Sequence, residues 1–271
     1  MLEINKLHTG DSIELLKQVD DNSIALHFTS PPYADMKKYE DFQGIHPDKY
    51  VEWFMPFVKE IERTLKQDGN FILNINDKVV DGFRHPYVFE LIVEIHKQTK
   101  LKMFERLFWN KGKYLPHRSR FGDKVEYLFW FVKSKDYYFN IDEMRNSYNP
   151  ISVKRMKNPI KRRFNRNESN QDANDYKDWS PNPLGALPSS LIEIGSESQR
   201  QSQKHTAVFP EKLCQYFIKG STKKGDLVCD IFSGSGTTCA AAKRLGRDFL
   251  GFDKTQFYND EANIRINQLV I

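Results

Sequence analysis

The chain has 271 residues, of which 39% are hydrophobic and 13% aromatic, a balance typical of a soluble globular protein. It contains no run of about 18 apolar residues and begins with a charged segment, which predicts a cytoplasmic protein with no membrane partner. Its three cysteines form no CxxC pair, so we expect neither a disulfide framework nor a metal site.

The 41 basic and 36 acidic residues give a net charge of +5, which by itself says little about partners. The distribution is more informative, because 151–170 holds seven basic residues and one acidic residue. The basic residues are Lys154, Arg155, Lys157, Lys161, Arg162, Arg163 and Arg166. Such a cluster suits a polyanion, since each neutralised phosphate releases counterions. A solvated loop remains the alternative from charge alone.

Strands and helices are predicted to alternate along the first half of the chain. A short helix over 11–18 is followed by a buried strand over 24–29, which ends at TSPPY, residues 29–33. Apolar residues at helical spacing predict a helix over 47–67, kinked or broken at Pro56. The next predicted elements are a strand over 70–76, a helix over 87–98 and strands over 103–109 and 125–133. This alternation predicts a mostly parallel sheet covered on both faces by helices.

Periodicity is lost over 134–203, which predicts a functional insertion or a mobile segment rather than a connection. A helix over 209–219 restores order and is followed by a strand, a glycine loop, a helix and a strand over 226–252, then a helix over 255–269. We therefore divide the chain into 1–133, 134–203 and 204–271.

The loop in DIFSGSGTT, residues 230–238, places Gly234 and Gly236 between a strand and a helix. Glycines there let the backbone approach a ligand, and the helix start offers free N–H groups. Neither GxGxxG nor GK[ST] is present, which favours a nucleoside ligand without a pyrophosphate. Asp253 ends the next strand, where it either accepts hydrogen bonds from ribose hydroxyls or caps the following helix.

TSPPY has two interpretations. The prolines could simply break the strand while Tyr33 packs. Alternatively, oxygens of Ser30 and Pro31 stay out of the strand ladder, because prolines lack N–H groups, and accept hydrogen bonds from an exocyclic amine. The Tyr33 ring would then stack on the base that carries this amine.

Together these motifs resemble those of the amino-methylating DNA methyltransferases. SPPY resembles their (D/N/S)PP(Y/F) catalytic motif, and DIFSGSGTT resembles their FxGxG motif for S-adenosylmethionine. KHTAVFPEKL, residues 204–213, resembles the block before FxGxG, and GDS at 10–12 and KVEY at 124–127 extend the likeness. The order of the motifs is that of the permuted β group, and the likeness covers nearly the whole chain outside the insertion.

The resemblance implies an α/β, Rossmann-like methyltransferase fold with a mixed, mostly parallel seven-stranded sheet and an inserted target-recognition region. It implies that Asp11 and Ser12 lie near the adenine of S-adenosylmethionine and that His205 and Thr206 lie near its methionine end. A structural role for His205 stays open. The other implied cofactor-binding residues are Asp230, Phe232, Ser233, Gly234, Gly236, Thr237 and Asp253.

The resemblance also implies direct methyl transfer to a flipped base held by Ser30, Pro31, Pro32 and Tyr33. Serine as the first motif residue favours cytosine N4, with adenine N6 as the alternative. An RNA or protein methyltransferase and a non-catalytic DNA-binding protein are more distant alternatives. Expected partners are double-stranded DNA and a companion restriction endonuclease, and a homodimer is left open. The expected DNA-binding residues are Arg118, Arg120, Lys154, Arg155, Lys161, Arg162, Arg163 and Arg166.

Overall fold

A computed structural model describes residues 2–34, 44–112, 118–157, 181–195 and 210–269. The strands are β1 (Lys6–Thr9), β2 (Ile24–Thr29), β3 (Leu65–Ile75), β4 (Val79–Val80), β5 (Phe83–Arg84), β6 (Lys102–Asn110), β7 (Val125–Val132), β8 (Leu191–Glu193), β9 (Leu227–Asp230) and β10 (Asp248–Asp253). The helices are α1 (Ser12–Leu16), α2 (Pro47–Thr64), α3 (Tyr87–Gln98), α4 (Pro150–Lys157), α5 (Glu211–Ser221), α6 (Thr237–Arg244) and α7 (Gln256–Asn267), with a 3₁₀ helix over Ile141–Met144.

Within the described residues, eight strands form one sheet in the order β1-β10-β9-β2-β3-β7-β6-β8. Every neighbouring pair is parallel except the two that involve β7, which runs antiparallel to β3 and to β6. The sheet is therefore mostly parallel, as the alternation of elements predicted, and mixed, as the resemblance implied. It has one strand more than the predicted seven, because β8, from the end of the insertion, pairs with the outer edge of β6.

Helices cover both faces of this sheet. Apolar residues of α1, α2 and α3 pack on one face, and those of α5, α6 and α7 pack on the other. Pro56 lies inside α2 without ending it, so the predicted break is absent, and β3 begins at Leu65, directly after the helix. All six residues of β2 are buried because both faces of this central strand are covered.

One buried histidine lies in the middle of this core. The Nε2 atom of His27, on β2, lies 2.9 Å from the hydroxyl of Thr64 at the end of α2. Burial lowers the pKa of His27 from 6.5 to about 3, so the imidazole is neutral in the folded protein.

The strand directions bring several loops to one edge of the sheet. β1, β10, β9, β2 and β3 are parallel, so their carboxyl ends lie together, and antiparallel β7 begins at this same edge. We call it the carboxyl edge. The crossover from β2 to β3 runs through α2 on one face, whereas that from β9 to β10 runs through α6 on the other. The order of the strands thus reverses between β9 and β2, where open α/β sheets bind ligands.

No helix in the described ranges is both long enough and apolar enough to cross a bilayer.

Candidate functional site

Asp230, the last residue of β9, ties three elements together at the centre of the carboxyl edge. Its buried carboxylate accepts hydrogen bonds from the hydroxyls of Thr29 and Thr238, at 2.8 and 2.7 Å, and from the backbone N–H of Phe232, at 3.1 Å. Burial raises the pKa of Asp230 to about 6, although these three donors oppose the shift. Its oxygens are engaged by donors of the chain itself, so in this structure Asp230 positions the ends of β2, β9 and α6.

The glycine loop after β9 is shaped by contacts within the protein. The N–H of Gly236 donates to the Ser233 carbonyl at 2.7 Å, and Gly236 has a left-handed φ of 71°. A Cβ atom added at Gly236 would lie 2.8 Å from the Cβ of Ala262 on α7. The glycine is therefore required both by the turn and by the packing of α7, independently of any ligand.

Ser233, at the head of this loop, carries a buried hydroxyl that finds no hydrogen-bond partner in the described part of the chain. Buried hydroxyls usually have a partner, so such an atom in a glycine loop points to a group outside the described residues. Thr237 begins α6 and is buried beside this loop. The predicted cofactor residues Ser233, Gly234, Gly236 and Thr237 thus form one continuous turn.

Asp253, at the end of β10, links the glycine loop to its neighbours. One carboxylate oxygen accepts from the N–H of Gly234 at 3.1 Å, and the other accepts from the N–H of Thr255, just before α7, at 2.8 Å. Its backbone carbonyl accepts from the N–H of Gly10 at 3.0 Å. The bond to Thr255 fixes the residue before α7 but is not a helix cap, because the N-cap of α7 is Thr255 and has no side-chain capping bond. The Asp253 carboxylate still leaves acceptor capacity, since a carboxylate has about four lone-pair sites.

Asp11 and Ser12, which the resemblance implied to lie near the adenine, follow Gly10, whose N–H donates to Asp253. The Asp11 carboxylate caps α1 by accepting from the N–H of Ile13 at 2.9 Å and lies 3.2 Å from Nζ of Lys254. Burial opposes ionisation, but these two partners lower the pKa of Asp11 overall. The buried hydroxyl of Ser12 donates to the Ile231 carbonyl at 2.7 Å, so this side chain fastens the loop after β1 to the loop after β9.

TSPPY lies next to the glycine loop at the carboxyl edge. The parallel ladder between β2 and β3 ends at Thr29, which leaves Ser30 and Pro31 outside it. The hydroxyl of Tyr50, on α2, donates to the Pro32 carbonyl at 2.9 Å and holds the turn against the core. The hydrogen bond from Thr29 to Asp230 joins this motif to β9 immediately before Ser30.

Tyr33 is held through its hydroxyl group. The Oη atom lies 2.8 Å from a carboxylate oxygen of Glu126, 3.2 Å from the side-chain oxygen of Asn74 and 3.2 Å from the Ser30 hydroxyl. Burial, followed by the charge of Glu126, raises the pKa of Tyr33 well above its usual value, so the phenol stays protonated. Tyr33 therefore donates to an acceptor at the carboxyl edge while the hydroxyl of Ser30 lies beside it.

Glu126 is an unpredicted member of this site. Its side chain is 13% exposed, and its second oxygen lies 3.0 Å from Nζ of Lys111, which follows β6. The KVEY block was part of the resemblance, but no role was assigned to Glu126, and neither Lys111 nor Asn74 was identified as a site residue. The available signal was an acidic residue at the start of the otherwise apolar strand VEYLFWFV.

The half-buried ring of Phe232 belongs to an aromatic cluster. Its centroid lies 5.9 Å from that of Trp53, 6.3 Å from that of Phe54 and 5.1 Å from that of Phe57, all on α2. Phe232 thus anchors the start of the loop after β9 against α2. Within the described ranges, no group of three metal-ligating side chains comes together.

The comparison with known families agrees with this geometry. A family described as DNA methylase matches residues 24–263. The chain belongs to this family. The prediction that the chain is a member of the amino-methylating DNA methyltransferases is confirmed.

Two similar DNA methylases cover nearly the whole chain. The type II methyltransferase M.PvuII of Proteus hauseri is 30% identical over 273 residues, which span 93% of this chain and 80% of the relative. The type II methyltransferase M1.MboII of Moraxella bovis is 30% identical over 280 residues and is matched over the full length of both chains.

Solved structures share the fold. The PvuII DNA methyltransferase (cytosine-N4-specific) matches with a TM-score of 0.72 at 24% sequence identity, over 97% of this chain and 86% of that one. The M1.HpyAVI-SAM complex matches with a TM-score of 0.60 at 19% identity, over 97% of this chain and 98% of that one. The predicted methyltransferase fold is thereby confirmed, with eight strands in place of seven.

Two of the predicted cofactor-binding residues and several of the predicted DNA-binding residues of this DNA methylase are not described by the structure. His205, Thr206, Lys161, Arg162, Arg163 and Arg166 lie outside the described residues. Lys154 is exposed on α4, and Arg155 lies in the same helix. Arg118 is exposed, and the guanidinium of Arg120 donates to the carbonyl of Gly82.

Proposed function

We propose that the protein is a site-specific DNA methyltransferase that transfers a methyl group from S-adenosylmethionine to the exocyclic N4 amine of a flipped cytosine in double-stranded DNA. One observation carries this proposal. The Asp230 carboxylate bonds to Thr29, next to SPPY, and to the N–H of Phe232, next to the glycine loop. Two loops, one suited to a nucleoside cofactor and one suited to an exocyclic amine, are therefore held side by side.

The residues of the glycine loop fit S-adenosylmethionine. Asp253 retains acceptor capacity for ribose hydroxyls, the Ser233 hydroxyl is buried without a partner in the described chain, and the loop lacks a phosphate-binding lysine. When bound, S-adenosylmethionine supplies an electrophilic methyl group on its sulfonium sulfur. Asp11, Asp253 and Gly234 would hold the nucleoside part, whereas Asp230 would act indirectly by positioning the loop.

The TSPPY motif would prepare the amine. Its nitrogen is a poor nucleophile because the lone pair is delocalised into the base. The hydroxyl of Ser30 and the carbonyl of Pro31 would accept the amino hydrogens and thereby favour a lone pair directed at the methyl group, and alignment would supply much of the rate effect. Tyr33 would stack on the base, a contact worth about 1–3 kcal/mol, which offsets part of the cost of unstacking.

Cytosine N4 is favoured over adenine N6 by two observations. The motif begins with Ser30, the form associated with cytosine N4 in this family, and the similar PvuII structure is named as cytosine-N4-specific. A neutral serine also suits its surroundings, because the hydroxyl of Ser30 contacts the Tyr33 hydroxyl, which in turn contacts the carboxylate of Glu126. An aspartate in its place would bring a second negative charge close to Glu126. Adenine N6 remains the alternative, because both amines present similar geometry to an acceptor.

The proposal extends to the partners. Residues 134–203 would form the target-recognition region, and the basic residues over 151–170 would neutralise DNA phosphates. The similar relatives are named as type II methyltransferases, which supports a companion restriction endonuclease.

A labelled transfer assay tests the proposal. The protein is incubated with S-adenosylmethionine carrying a labelled methyl group and with unmethylated duplex DNA, RNA or protein. Label should enter duplex DNA only, and label in RNA or protein alone would contradict the proposal. Tyr33→Ala should reduce transfer while calorimetry shows nearly normal cofactor affinity, and loss of cofactor binding would instead make Tyr33 structural. A wild-type protein that binds DNA but not S-adenosylmethionine would be a non-catalytic DNA-binding protein.

A further inference from the structure

A short hairpin extends from the carboxyl edge beside TSPPY. β4 and β5 pair through a turn at Asp81 and Gly82, which have left-handed φ values of 46° and 87°. Phe83 follows this turn and is 79% exposed, and Phe121, just before β7, is 98% exposed. These are the two most exposed large apolar side chains in the described residues. Two aromatic rings left in water at the edge of a candidate site indicate a surface that has a partner.

The two rings belong to one connected surface, which we call the hairpin surface and define as residues 78–84 and 118–124. The guanidinium of Arg84 pairs with the carboxylates of Asp77 and Asp123, and that of Arg120 donates to the Gly82 carbonyl. Arg84, Arg120 and Phe121 also line a shared open pocket. The segment before β7 is thus joined to the hairpin through the guanidinium groups of Arg84 and Arg120.

The charge of the hairpin surface fits a polyanion. It contains five basic residues, Lys78, Arg84, Arg118, Arg120 and Lys124, and two acidic residues, Asp81 and Asp123. Basic residues interleaved with exposed aromatic rings are the combination that binds nucleic acid, because the charges contact phosphates and the rings stack on bases.

The hairpin surface is also connected to the reaction site. Asp77 and the hairpin directly follow β3, whose Asn74 contacts Tyr33. Tyr87, at the start of α3, donates its hydroxyl to the Asn76 carbonyl, and its ring lies 4.7 Å from that of Tyr50. Tyr50 in turn donates to the Pro32 carbonyl. A duplex that delivers a base to TSPPY would therefore pass close to Phe83 and Phe121.

We propose that the hairpin surface contacts duplex DNA beside the target nucleotide and that Phe83 and Phe121 stack on bases exposed when the target base leaves the helix. Apolar side chains placed between bases compensate for stacking that is lost on opening the duplex. This inference rests on the proposed function and adds a second DNA contact to the one assigned to the insertion.

Serine substitutions test the inference without disturbing the core, because both rings are exposed. Phe83→Ser, Phe121→Ser and the double variant are compared with Ile4→Ser, since Ile4 is 46% exposed at the opposite edge of the sheet, before β1. The probe is an unmethylated duplex that contains the sequence that the protein methylates, with the fluorescent analogue pyrrolocytosine in place of the target cytosine. We measure duplex affinity, probe fluorescence and cofactor affinity, and methylation is measured on the same duplex with ordinary cytosine at the target position.

The double variant should bind the duplex about tenfold more weakly, a loss consistent with removal of aromatic stacking. Its probe fluorescence should fall, its affinity for S-adenosylmethionine should stay unchanged, and a mismatch at the target base should restore methylation, because a mispaired base is already partly unstacked. Ile4→Ser should behave like the wild type.

If the double variant matches the wild type in duplex affinity, probe fluorescence and methylation, the inference is overturned but the proposed function is not. Absence of methyl transfer to DNA by the wild type would instead overturn the proposed function. A different outcome is that the wild type binds anionic phospholipid vesicles and the double variant does not, while both bind DNA equally. This result would assign the hairpin surface to a membrane and would also overturn the inference.

Discussion

The hydrogen bond between Tyr33 and Glu126 should hold the TSPPY motif to β7. The perturbations are Tyr33→Phe, which removes the hydroxyl and keeps the ring, Glu126→Gln, which removes the charge, and the double variant. The bond is 2.8 Å long, and Glu126 is 13% exposed and also paired with Lys111 at 3.0 Å. Each single variant therefore breaks a charge-assisted contact in a largely buried place.

The expected loss of unfolding free energy follows from this geometry. A hydrogen bond to a charged group contributes about 1.5–3 kcal/mol, and the remaining ion pair with Lys111 keeps the cost of Tyr33→Phe near the lower end of that range, about 1.5–2 kcal/mol. In a double-mutant cycle, the coupling free energy between Tyr33 and Glu126 should be at least about 1 kcal/mol, as expected for residues in direct contact.

Denaturant unfolding measures these free energies, and methyl-transfer kinetics measure the functional effect. Tyr33→Phe should lower kcat for methylation, because the ring is no longer fixed, without changing the affinity for S-adenosylmethionine. Tyr216→Phe is the matched control, since its hydroxyl donates at 3.1 Å to the neutral carbonyl of Met144, on the far side of the sheet. It should cost about 1 kcal/mol, leave kcat unchanged and show no coupling to Glu126. Additive effects of Tyr33→Phe and Glu126→Gln, within about 0.3 kcal/mol, would refute the reasoning.

Three further predictions concern the loop, the core and the insertion. Gly236→Ala should lower the unfolding free energy by about 2–4 kcal/mol even without cofactor, because of the left-handed φ and the clash with Ala262. In a double-mutant cycle, Ala262→Gly should reduce that cost. An effect seen only with cofactor present would assign the glycine to ligand binding. The buried imidazole of His27 has a pKa of about 3 against 6.5 when unfolded, so its contribution is fully present above pH 6.5 and is lost as the pH falls. Between pH 7 and pH 5 the wild type should therefore lose about 2 kcal/mol relative to His27→Leu, and parallel pH profiles in denaturant unfolding would contradict this. Neutralising Arg162 and Arg163 should reduce the slope of log affinity for duplex DNA against log salt concentration by about 1.8, and an unchanged slope would remove these residues from the phosphate contacts.

Features set by local pattern could be predicted from the sequence. The apolar run before TSPPY identified β2, and the two glycines after Asp230 identified a turn between a strand and a helix. Both predictions depend on residues that are adjacent in the chain. The alternation of strands and helices predicted the mostly parallel sheet for the same reason, since periodicity is a local property.

Features that depend on distant contacts could not be predicted. The pattern placed Asp230 beside the glycine loop, but it gave no sign that its carboxylate would engage Thr29, which is 201 residues away in the chain. Glu126 contacts Tyr33 because β7 runs antiparallel and begins at the carboxyl edge, a fact of topology rather than of spacing. β8 was missed because three residues are too few to show a period.

The central claim is that the amine of cytosine receives the methyl group. Duplex DNA methylated in vitro by the purified protein should be digested to nucleosides and measured by mass spectrometry. We predict N4-methylcytosine, absent when Tyr33→Ala replaces the wild type. N6-methyladenine without N4-methylcytosine would contradict the claim.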